Sequence, residues 1–279
     1  MDIYYIDGEF VTAEESTITV NDMALLRGYG VFDFMRTYGG KPFFLDGHVK
    51  RLIRSATLIG MTTPWSEQEI VDITMETLGR NNHEESNVRI VITGGVSPDS
   101  ITPQGHPSLL VMVTPLHALP EIWYTEGVKV ITSHLERFIP DAKTTNYIPG
   151  IMALENAKKQ NAIESIYVDR HGNLLEGTTT NFWAFIDNKL VTPATGMLPG
   201  ITRKVILELA DTEVEVEMRD IKKDEIRIMD EAFLTASNKE IVPVTEIDCV
   251  TIGDGTPGKH TQKLTQLFKE FTTRYGKGE

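Results

Sequence analysis

The chain has 279 residues, of which 41% are hydrophobic and 24% charged, and its formal net charge is −13. This composition is typical of a globular protein long enough for one large or two modest domains. The acidic balance argues against a nucleic-acid surface, which requires clustered lysine and arginine. The single cysteine, Cys249, permits no internal disulfide, and no run approaches eighteen apolar residues. We therefore expect a cytoplasmic protein without a membrane span.

The first part of the chain mixes hairpins with helices. Residues 1–12 and 31–45 each alternate around a glycine-containing turn, which predicts two β-hairpins. Apolar residues recur at helical spacing from Asp46 onward, and Ser66 with Glu69 forms a capping box that opens a second helix. Two β-branched runs predict strands, at residues 87–93 and 108–114.

A short segment bracketed by prolines, residues 115–123, is the best candidate for a linker. It separates a predicted N-terminal α/β domain, residues 1–114, from a predicted larger C-terminal domain, residues 124–279, which carries Lys143. The strands predicted in the second domain begin at Val128 and form hairpins within 165–176 and 182–192. Its helices are expected at 148–160, from about 200, from about 222 and at 258–274. The pattern indicates an α+β protein.

Three separated motifs in the second half carry complementary chemistry. Lys143 precedes a predicted helix in Asp141-Ala-Lys-Thr-Thr-Asn-Tyr-Ile-Pro-Gly150. Glu176 ends a strand in Leu175-Glu-Gly-Thr-Thr-Thr-Asn-Phe182, and Gly200 opens a helix in Leu198-Pro-Gly-Ile-Thr-Arg203. Together they offer an amine for a Schiff base, a carboxylate for a pyridinium nitrogen and an anion site for a phosphate. Each has an ordinary alternative: a solvated lysine, a strand-end glutamate and a plain helix start. Their order and spacing predict a pyridoxal 5′-phosphate enzyme.

Two more sequence features suit a phosphate group. The small polar turn Thr235-Ala-Ser-Asn238 follows an apolar strand and offers backbone N–H groups and a hydroxyl. Arg51 has the planar guanidinium that binds phosphate oxygens in pairs. Both features therefore join the helix start at Gly200 as expected phosphate ligands.

These motifs resemble those of the class IV pyridoxal phosphate aminotransferases, the fold type IV group that includes branched-chain aminotransferases, D-amino acid aminotransferases and aminodeoxychorismate lyases. The resemblance covers nearly the whole chain. The stretches that carry it are Tyr29-Gly-Val-Phe-Asp-Phe-Met-Arg36, His48-Val-Lys-Arg-Leu52, the run from Glu176 to Arg203, and Glu240-Ile-Val-Pro-Val244 with Gly253-Asp-Gly255.

The resemblance implies two mixed α/β domains with the active site between them, a homodimer, and amino acid and 2-oxo acid substrates. It makes Lys143 the catalytic Schiff-base lysine, Glu176 the partner of the ring nitrogen and Tyr147 a contact of the cofactor's phenolic oxygen. The phosphate contacts that it implies are Arg51, Ile201, Thr202, Ala236 and Ser237.

The substrate motifs point in two directions. Asn146 stands three residues after Lys143, as in D-amino acid aminotransferases and the lyases, whereas branched-chain enzymes usually place it four residues after. Tyr147 follows it, as in the branched-chain enzymes. The Arg-x-His carboxylate trap of the familiar D-amino acid enzymes is replaced here by Ser97-Pro-Asp99-Ser-Ile101. D-amino acids are slightly favoured over branched-chain L-amino acids, with an aminodeoxychorismate lyase third and a catalytically silent family member as the non-enzyme alternative.

The arginines that remain to hold a substrate carboxylate are Arg27, Arg36 and Arg89. Arg89 lies in an apolar strand, where an unpaired guanidinium is costly, so a substrate carboxylate or a protein carboxylate such as Asp33 is expected to pair with it. Tyr29 and Phe32 are expected near the substrate side chain. The seven histidines show no metal-binding spacing, so no metal site is predicted.

Overall fold

The computed structural model describes residues 1–279, and both strands and helices occur throughout the chain, in mixed α and β units. The strands are β1 (Ile3–Ile6), β2 (Glu9–Thr12), β3 (Gly30–Tyr38), β4 (Lys41–Pro42), β5 (Ser86–Thr93), β6 (Ser108–Pro115), β7 (Val128–His134), β8 (Glu164–Val168), β9 (Asn173–Gly177), β10 (Asn181–Ile186), β11 (Lys189–Thr192), β12 (Val216–Met218), β13 (Ile221–Lys222), β14 (Glu231–Ala236), β15 (Glu240–Ile247) and β16 (Val250–Thr251). The helices are α1 (Met23–Arg27), α2 (Leu45–Leu58), α3 (Glu67–Gly79), α4 (Ile122–Thr125), α5 (Ile148–Lys159), α6 (Ile201–Ala210) and α7 (Lys259–Lys277), with a 3-10 helix over Lys223–Ile228.

The chain divides into two compact units. Unit 1 comprises Met1–His117, Asp141–Asn146 and Thr273–Glu279, and unit 2 comprises Ala118–Pro140 and Tyr147–Thr272. Neither unit is one continuous segment, because short pieces from the second half of the chain belong to unit 1.

The Lys143 segment is the main difference from the predicted domain division, which assigned this lysine to the C-terminal domain. In the structure it belongs to unit 1. The reason is backbone pairing: the Phe32 N–H donates to the Lys143 carbonyl at 2.9 Å, and the Thr145 N–H donates to the Gly30 carbonyl at 2.9 Å. The segment thus occupies backbone positions at the start of β3 that no other strand uses.

Unit 1 is built on a six-stranded sheet in the order β2-β1-β6-β5-β3-β4. Along β3 the odd-numbered residues 31–37 are buried, while the even-numbered residues 32–38 are half-buried on the opposite face, as strand alternation requires. Val49, Leu52 and Ala56 of α2 are fully buried in the core cluster that this sheet forms with α2 and α3. The two faces of β3 therefore have separate roles, one in the core and one outside it.

Unit 2 contains a ten-stranded sheet, six of whose strands form a closed ring in the order β10-β14-β15-β7-β8-β9. The ring closes where Asn181 of β10 pairs with Glu176 of β9. A large apolar cluster that includes Phe182, Leu174 and Val130 packs among these strands, and β8, β9 and β10 are buried along their whole lengths. Glu176 therefore occupies the position that joins the two ends of the ring.

Local signals in the sequence agree with most helix starts. The Ser66 side chain accepts from the Glu69 N–H while Glu69 accepts from the Ser66 N–H, which confirms the capping box. The helix expected at about residue 222 is instead a six-residue 3-10 helix, which ends where the backbone becomes extended at Met229. The short helix α1 was not anticipated. No helix is both long and apolar enough to span a bilayer.

Candidate cofactor and substrate site

Lys143 is half-buried in unit 1 and is fixed to α2 through its backbone. Its N–H donates to the Ser55 hydroxyl at 3.0 Å, and that hydroxyl donates to the Arg51 carbonyl at 2.8 Å. Its ammonium Nζ lies 4.6 Å from the centroid of the Phe32 ring. The segment therefore presents an amine on the outer face of β3, close to an aromatic ring.

Arg51 is held by a buried carboxylate on the inner face of β3. Its Nε donates to Oδ2 of Asp33 at 2.9 Å and its Nη2 to Oδ1 at 2.7 Å, and Nδ1 of His48 lies 2.7 Å from the same Oδ1. Burial alone would raise the pKa of Asp33, but the Arg51 guanidinium and the His48 ring beside it hold that pKa well below its usual range. Burial lowers the pKa of His48, although Asp33 opposes this. Asp33 therefore fixes the guanidinium of Arg51 while remaining charged.

The outer face of β3 gathers cations on aromatic rings. The Arg89 guanidinium lies 5.1 Å from the Phe32 centroid and 5.2 Å from the Phe34 centroid, within the range of cation–π contacts. Arg36 lies 4.5 Å from the Tyr38 centroid. The structure thus brings Arg89 and Lys143 onto the same ring, that of Phe32. Asp33 is on the inner face with Arg51, so the expected alternative of an Asp33–Arg89 pair is wrong.

Arg27 and Tyr29 lie just before β3 in the chain. Arg27 is exposed at the end of α1, and its Nη1 donates to the carbonyl of Leu26 at 2.8 Å. The Tyr29 hydroxyl donates to the Ile59 carbonyl at 3.3 Å, and its ring packs so closely on Gly94 that a Cβ there would lie 2.4 Å from it. The contacts of Tyr29 are therefore with the unit 1 core.

Glu176 in unit 2 is a buried carboxylate with fixed partners on both oxygens. Arg137 Nε donates to Oε1 at 2.9 Å, and the Leu198 N–H donates to Oε2 at 3.0 Å. A second Arg137 nitrogen donates to the Pro140 carbonyl. An adjacent guanidinium favours the ionised form of a carboxylate. Glu176 is therefore prepared to accept a hydrogen bond from a cationic N–H.

The start of α6 has the features of an anion site. Gly200 caps the helix without a side chain, so the first backbone N–H groups, those of Ile201 and Thr202, have no acceptor inside the helix. Asn181 Nδ2 donates to the Leu198 carbonyl at 2.8 Å, and a Cβ on Gly200 would lie 2.1 Å from Asn181 Oδ1. Glycine allows this close approach of the Asn181 amide and leaves the helix N-terminus open to an anion.

The other unit 2 candidates lie at the same end of β10. Asn181 pairs with Thr235, which is followed by Ala236 at the end of β14 and by Ser237 in the turn to β15. The Tyr147 hydroxyl donates to the Thr178 carbonyl at 3.2 Å, in the loop that precedes Asn181. The Asn181 end of β10 therefore collects Glu176, the start of α6, the Ala236–Ser237 turn and Tyr147.

Each unit holds donors of a kind that a phosphorylated pyridine aldehyde binds. Unit 1 has an amine and a fixed guanidinium. Unit 2 has a buried carboxylate, the N–H groups at a helix start and a hydroxyl-bearing turn. Arg137 was not anticipated, because its loop has no motif that links it to Glu176. His48 had a signal, since it stands one helical turn before Arg51 in the His-x-x-Arg motif.

Comparison with known proteins agrees with this chemistry. Residues 30–247 match the family model "Amino-transferase class IV". The chain is 33% identical to a putative branched-chain-amino-acid aminotransferase of Methanocaldococcus jannaschii, over 98% of this chain and 97% of that one. It is 31% identical to a D-alanine aminotransferase of Listeria monocytogenes, over 96% of each chain.

A solved structure agrees as well. The fold matches that of the Escherichia coli branched-chain amino acid aminotransferase with a TM-score of 0.91 and 27% identity, covering 98% of this chain and 95% of the other, as expected for fold type IV. The chain therefore belongs to the class IV aminotransferases, enzymes that use pyridoxal 5′-phosphate as their cofactor.

Proposed function

We propose that this class IV aminotransferase moves the amino group between a D-amino acid and a 2-oxo acid. The observation that carries the proposal is the position of Arg89 on the outer face of β3. Its guanidinium stacks on Phe32, the ring that also contacts the Lys143 ammonium. A carboxylate bound by Arg89 would therefore lie close to the catalytic amine. The Lys-x-x-Asn spacing shared with D-amino acid enzymes supports a D-amino acid substrate over an L-amino acid.

Branched-chain L-amino acid transamination is the second candidate. The Methanocaldococcus jannaschii relative and the Escherichia coli structure both carry that name. Tyr147, which follows Asn146, is a feature shared with those enzymes. Against it, Asn146 stands three residues after Lys143, whereas the branched-chain enzymes usually place this asparagine four residues after the lysine.

The residues of this chain take distinct roles in the proposal. The bound cofactor supplies the electron-withdrawing ring that makes the Cα–H bond acidic. Lys143 Nζ would attach the cofactor, release it to the incoming substrate amine, and then carry the proton between the substrate Cα and the cofactor's C4′ as base and acid. Glu176 would hold the ring nitrogen, and Tyr147 the phenolic oxygen. Substrate contacts are assigned to Arg27, Tyr29, Phe32, Arg36 and Arg89.

The proposed phosphate ligands are Arg51, Ile201, Thr202, Ala236 and Ser237. Arg51 would provide the charge, since Asp33 fixes its guanidinium. The N–H groups of Ile201 and Thr202 and the Ala236–Ser237 turn would provide hydrogen bonds.

A homodimer is part of the same proposal. Ile148, Ile151 and Met152 lie on one side of α5 with exposed fractions of 68%, 56% and 68%, and Phe138 is 98% exposed. Large apolar side chains clustered on a surface mark an interaction site. A second copy of this chain would cover them.

The visible absorption spectrum of the cofactor-loaded protein tests the substrate class. D-alanine, D-glutamate and L-leucine are added separately without any 2-oxo acid. We expect the two D-amino acids to bleach the visible band and L-leucine to leave it unchanged. Bleaching by L-leucine alone would replace the proposal with the branched-chain alternative.

Variants of Arg89 sharpen the test. Arg89→Met should raise the KM for D-alanine at least about tenfold, because a charge-assisted hydrogen bond to the carboxylate is lost, and Arg89→Lys should restore part of it. Lys50→Met, an exposed cation on α2, is the matched control. An unchanged KM in Arg89→Met would remove Arg89 from the substrate site.

A further inference from the structure

Glu164 is a fully buried carboxylate at the start of β8 for which the proposed chemistry has no use. Its Oε1 accepts from the N–H groups of Ser165 at 2.9 Å and Thr178 at 3.0 Å, and from the Thr178 hydroxyl. Its Oε2 accepts from the Thr179 N–H at 3.2 Å, the Thr179 hydroxyl at 2.8 Å and the Thr180 hydroxyl at 3.4 Å. A buried carboxylate is unfavourable unless such bonds replace its hydration. The Thr178–Thr180 loop is therefore wrapped around Glu164.

The Thr178–Thr180 loop is linked to two residues of the proposed cofactor site, Glu176 and Tyr147. It joins β9 to β10 and begins two residues after Glu176, where the strand ring closes. The Thr178 carbonyl also accepts the Tyr147 hydroxyl at 3.2 Å. A movement of the loop would thus displace the expected partners of both the ring nitrogen and the phenolic oxygen.

Two further contacts fix the same loop. At Gly177, a Cβ would lie 2.9 Å from Glu164 Cγ, so the backbone passes directly over the carboxylate. Lys239 Nζ donates to the Thr179 hydroxyl at 2.8 Å, which links the loop to the turn that carries Ser237. Glu164 is therefore the centre of a hydrogen-bonded network at the Asn181 end of β10.

We propose that Glu164 is a positioning residue for transamination, which fixes the Thr178–Thr180 loop so that Glu176 and Tyr147 keep their places against the cofactor ring. This inference rests on the proposed function. Glu164 touches neither cofactor nor substrate in the proposal. It acts through the loop, so its removal should change the electronic environment of the cofactor and not only the stability of the protein.

Glu164→Gln tests the proposal, because the amide replaces one acceptor oxygen by a donor and leaves at least one loop N–H or hydroxyl without its partner. The readout is the pH midpoint of the visible band of the bound cofactor. Glu176→Gln, at the proposed partner of the ring nitrogen, gives the shift in pH midpoint with which the Glu164→Gln shift is compared. We expect Glu164→Gln to move the midpoint in the same direction by at least about 0.5 pH unit and to lower the half-reaction rate about tenfold.

Glu231→Gln is the matched control. Glu231 is also a buried glutamate that accepts from a threonine, with the Thr261 N–H at 2.7 Å and its hydroxyl at 2.8 Å. It starts β14, at the end opposite Thr235. We expect Glu231→Gln to lower the melting temperature without moving the midpoint.

If Glu164→Gln does not fold, Thr179→Val carries the test, since it removes one hydroxyl from Oε2 of Glu164 and should give a smaller shift in the same direction. A midpoint that stays at the wild-type value in the folded variant, with a lowered melting temperature, would overturn the positioning role and leave the proposed function intact. A wild-type protein that binds pyridoxal phosphate without any visible band would overturn both.

Discussion

Arg137 Nε lies 2.9 Å from Oε1 of Glu176, and the two side chains are only 20% and 7% exposed. An ion pair this sheltered keeps the carboxylate charged and fixes its orientation. In the proposed function, the carboxylate held in this orientation would accept a hydrogen bond from the ring nitrogen.

Replacing Arg137 by Gln should leave the Glu176 carboxylate in place but remove the cation that holds its charge and orientation. Loss of one partner of a buried ion pair costs about 3–5 kcal/mol, so both the melting temperature and the half-reaction rate should fall, the rate at least about tenfold. Stopped-flow absorbance of the bound cofactor measures the rate. Arg219→Gln, which breaks the more exposed Arg219–Glu225 pair, is the control and should leave the rate unchanged. A normal rate in Arg137→Gln would show that the pair is only structural.

Lys143→Ala should abolish transamination. Without the amine at Nζ, the protein has neither the covalent attachment point nor the proton carrier, and we expect the rate to drop at least about 10³-fold. Intact-mass measurement after borohydride reduction shows whether the cofactor is attached. Lys50→Ala should retain both attachment and turnover, because Lys50 is exposed on α2. Normal turnover by Lys143→Ala would disprove the catalytic assignment.

Gly200→Ala should weaken cofactor binding. The added Cβ would lie 2.1 Å from Asn181 Oδ1, so either the Asn181 amide leaves its bond to the Leu198 carbonyl or the start of α6 shifts. We expect at least about tenfold weaker binding of pyridoxal phosphate in an equilibrium titration, about 1.4 kcal/mol. Gly79→Ala serves as the control, because a Cβ at Gly79 meets no atom within 4 Å. Equal affinity of the two variants for pyridoxal phosphate would show that the start of α6 does not bind the phosphate.

Asp33→Asn should destabilise unit 1 in a pH-dependent way. The pKa of Asp33 lies well below its usual range in the folded protein, so the charged form adds stability above its unfolded pKa of about 4. That stability is lost as the pH falls from about 4 toward the folded pKa. We expect the variant to lose about 3 kcal/mol at neutral pH and to approach the wild type in acid, in urea unfolding curves.

Asp46→Asn is the control for this pH dependence. Asp46 is exposed in the first turn of α2, so its substitution should cost less than about 1 kcal/mol. A difference between wild type and Asp33→Asn that grows in acid would contradict the expected sign.

Ile151→Asp should disrupt the proposed homodimer. A carboxylate at the centre of the apolar group on α5 would be buried without a partner in the dimer, which costs several kcal/mol. Light scattering after size-exclusion chromatography should then report a monomer for this variant. Ile228→Asp, at an apolar side chain with 58% exposure elsewhere in unit 2, should leave the mass unchanged. A wild-type protein that is itself monomeric would exclude the dimer.

Structural features that depend on residues close together along the chain were predicted correctly. The capping box of Ser66 and Glu69 and the helix start at Gly200 depend on contacts within a few residues, so their sequence signals are sufficient. The lysine, glutamate and glycine motifs that indicate pyridoxal phosphate are local in the same sense. The domain boundary was harder, because Asp141–Asn146 joins unit 1 through backbone bonds to β3, and backbone bonds leave no side-chain signature.

The sequence by itself determined the enzyme family, the cofactor and the residues expected to bind it, because each motif combines a reactive side chain with its own local backbone. The tertiary structure decided how those side chains are held. Arg137 is 39 residues from Glu176 along the chain, and Asp33 is 18 residues from Arg51. These partners meet only after the strands have paired and the hydrophobic core has formed, since burial is what makes a charged group require one specific partner.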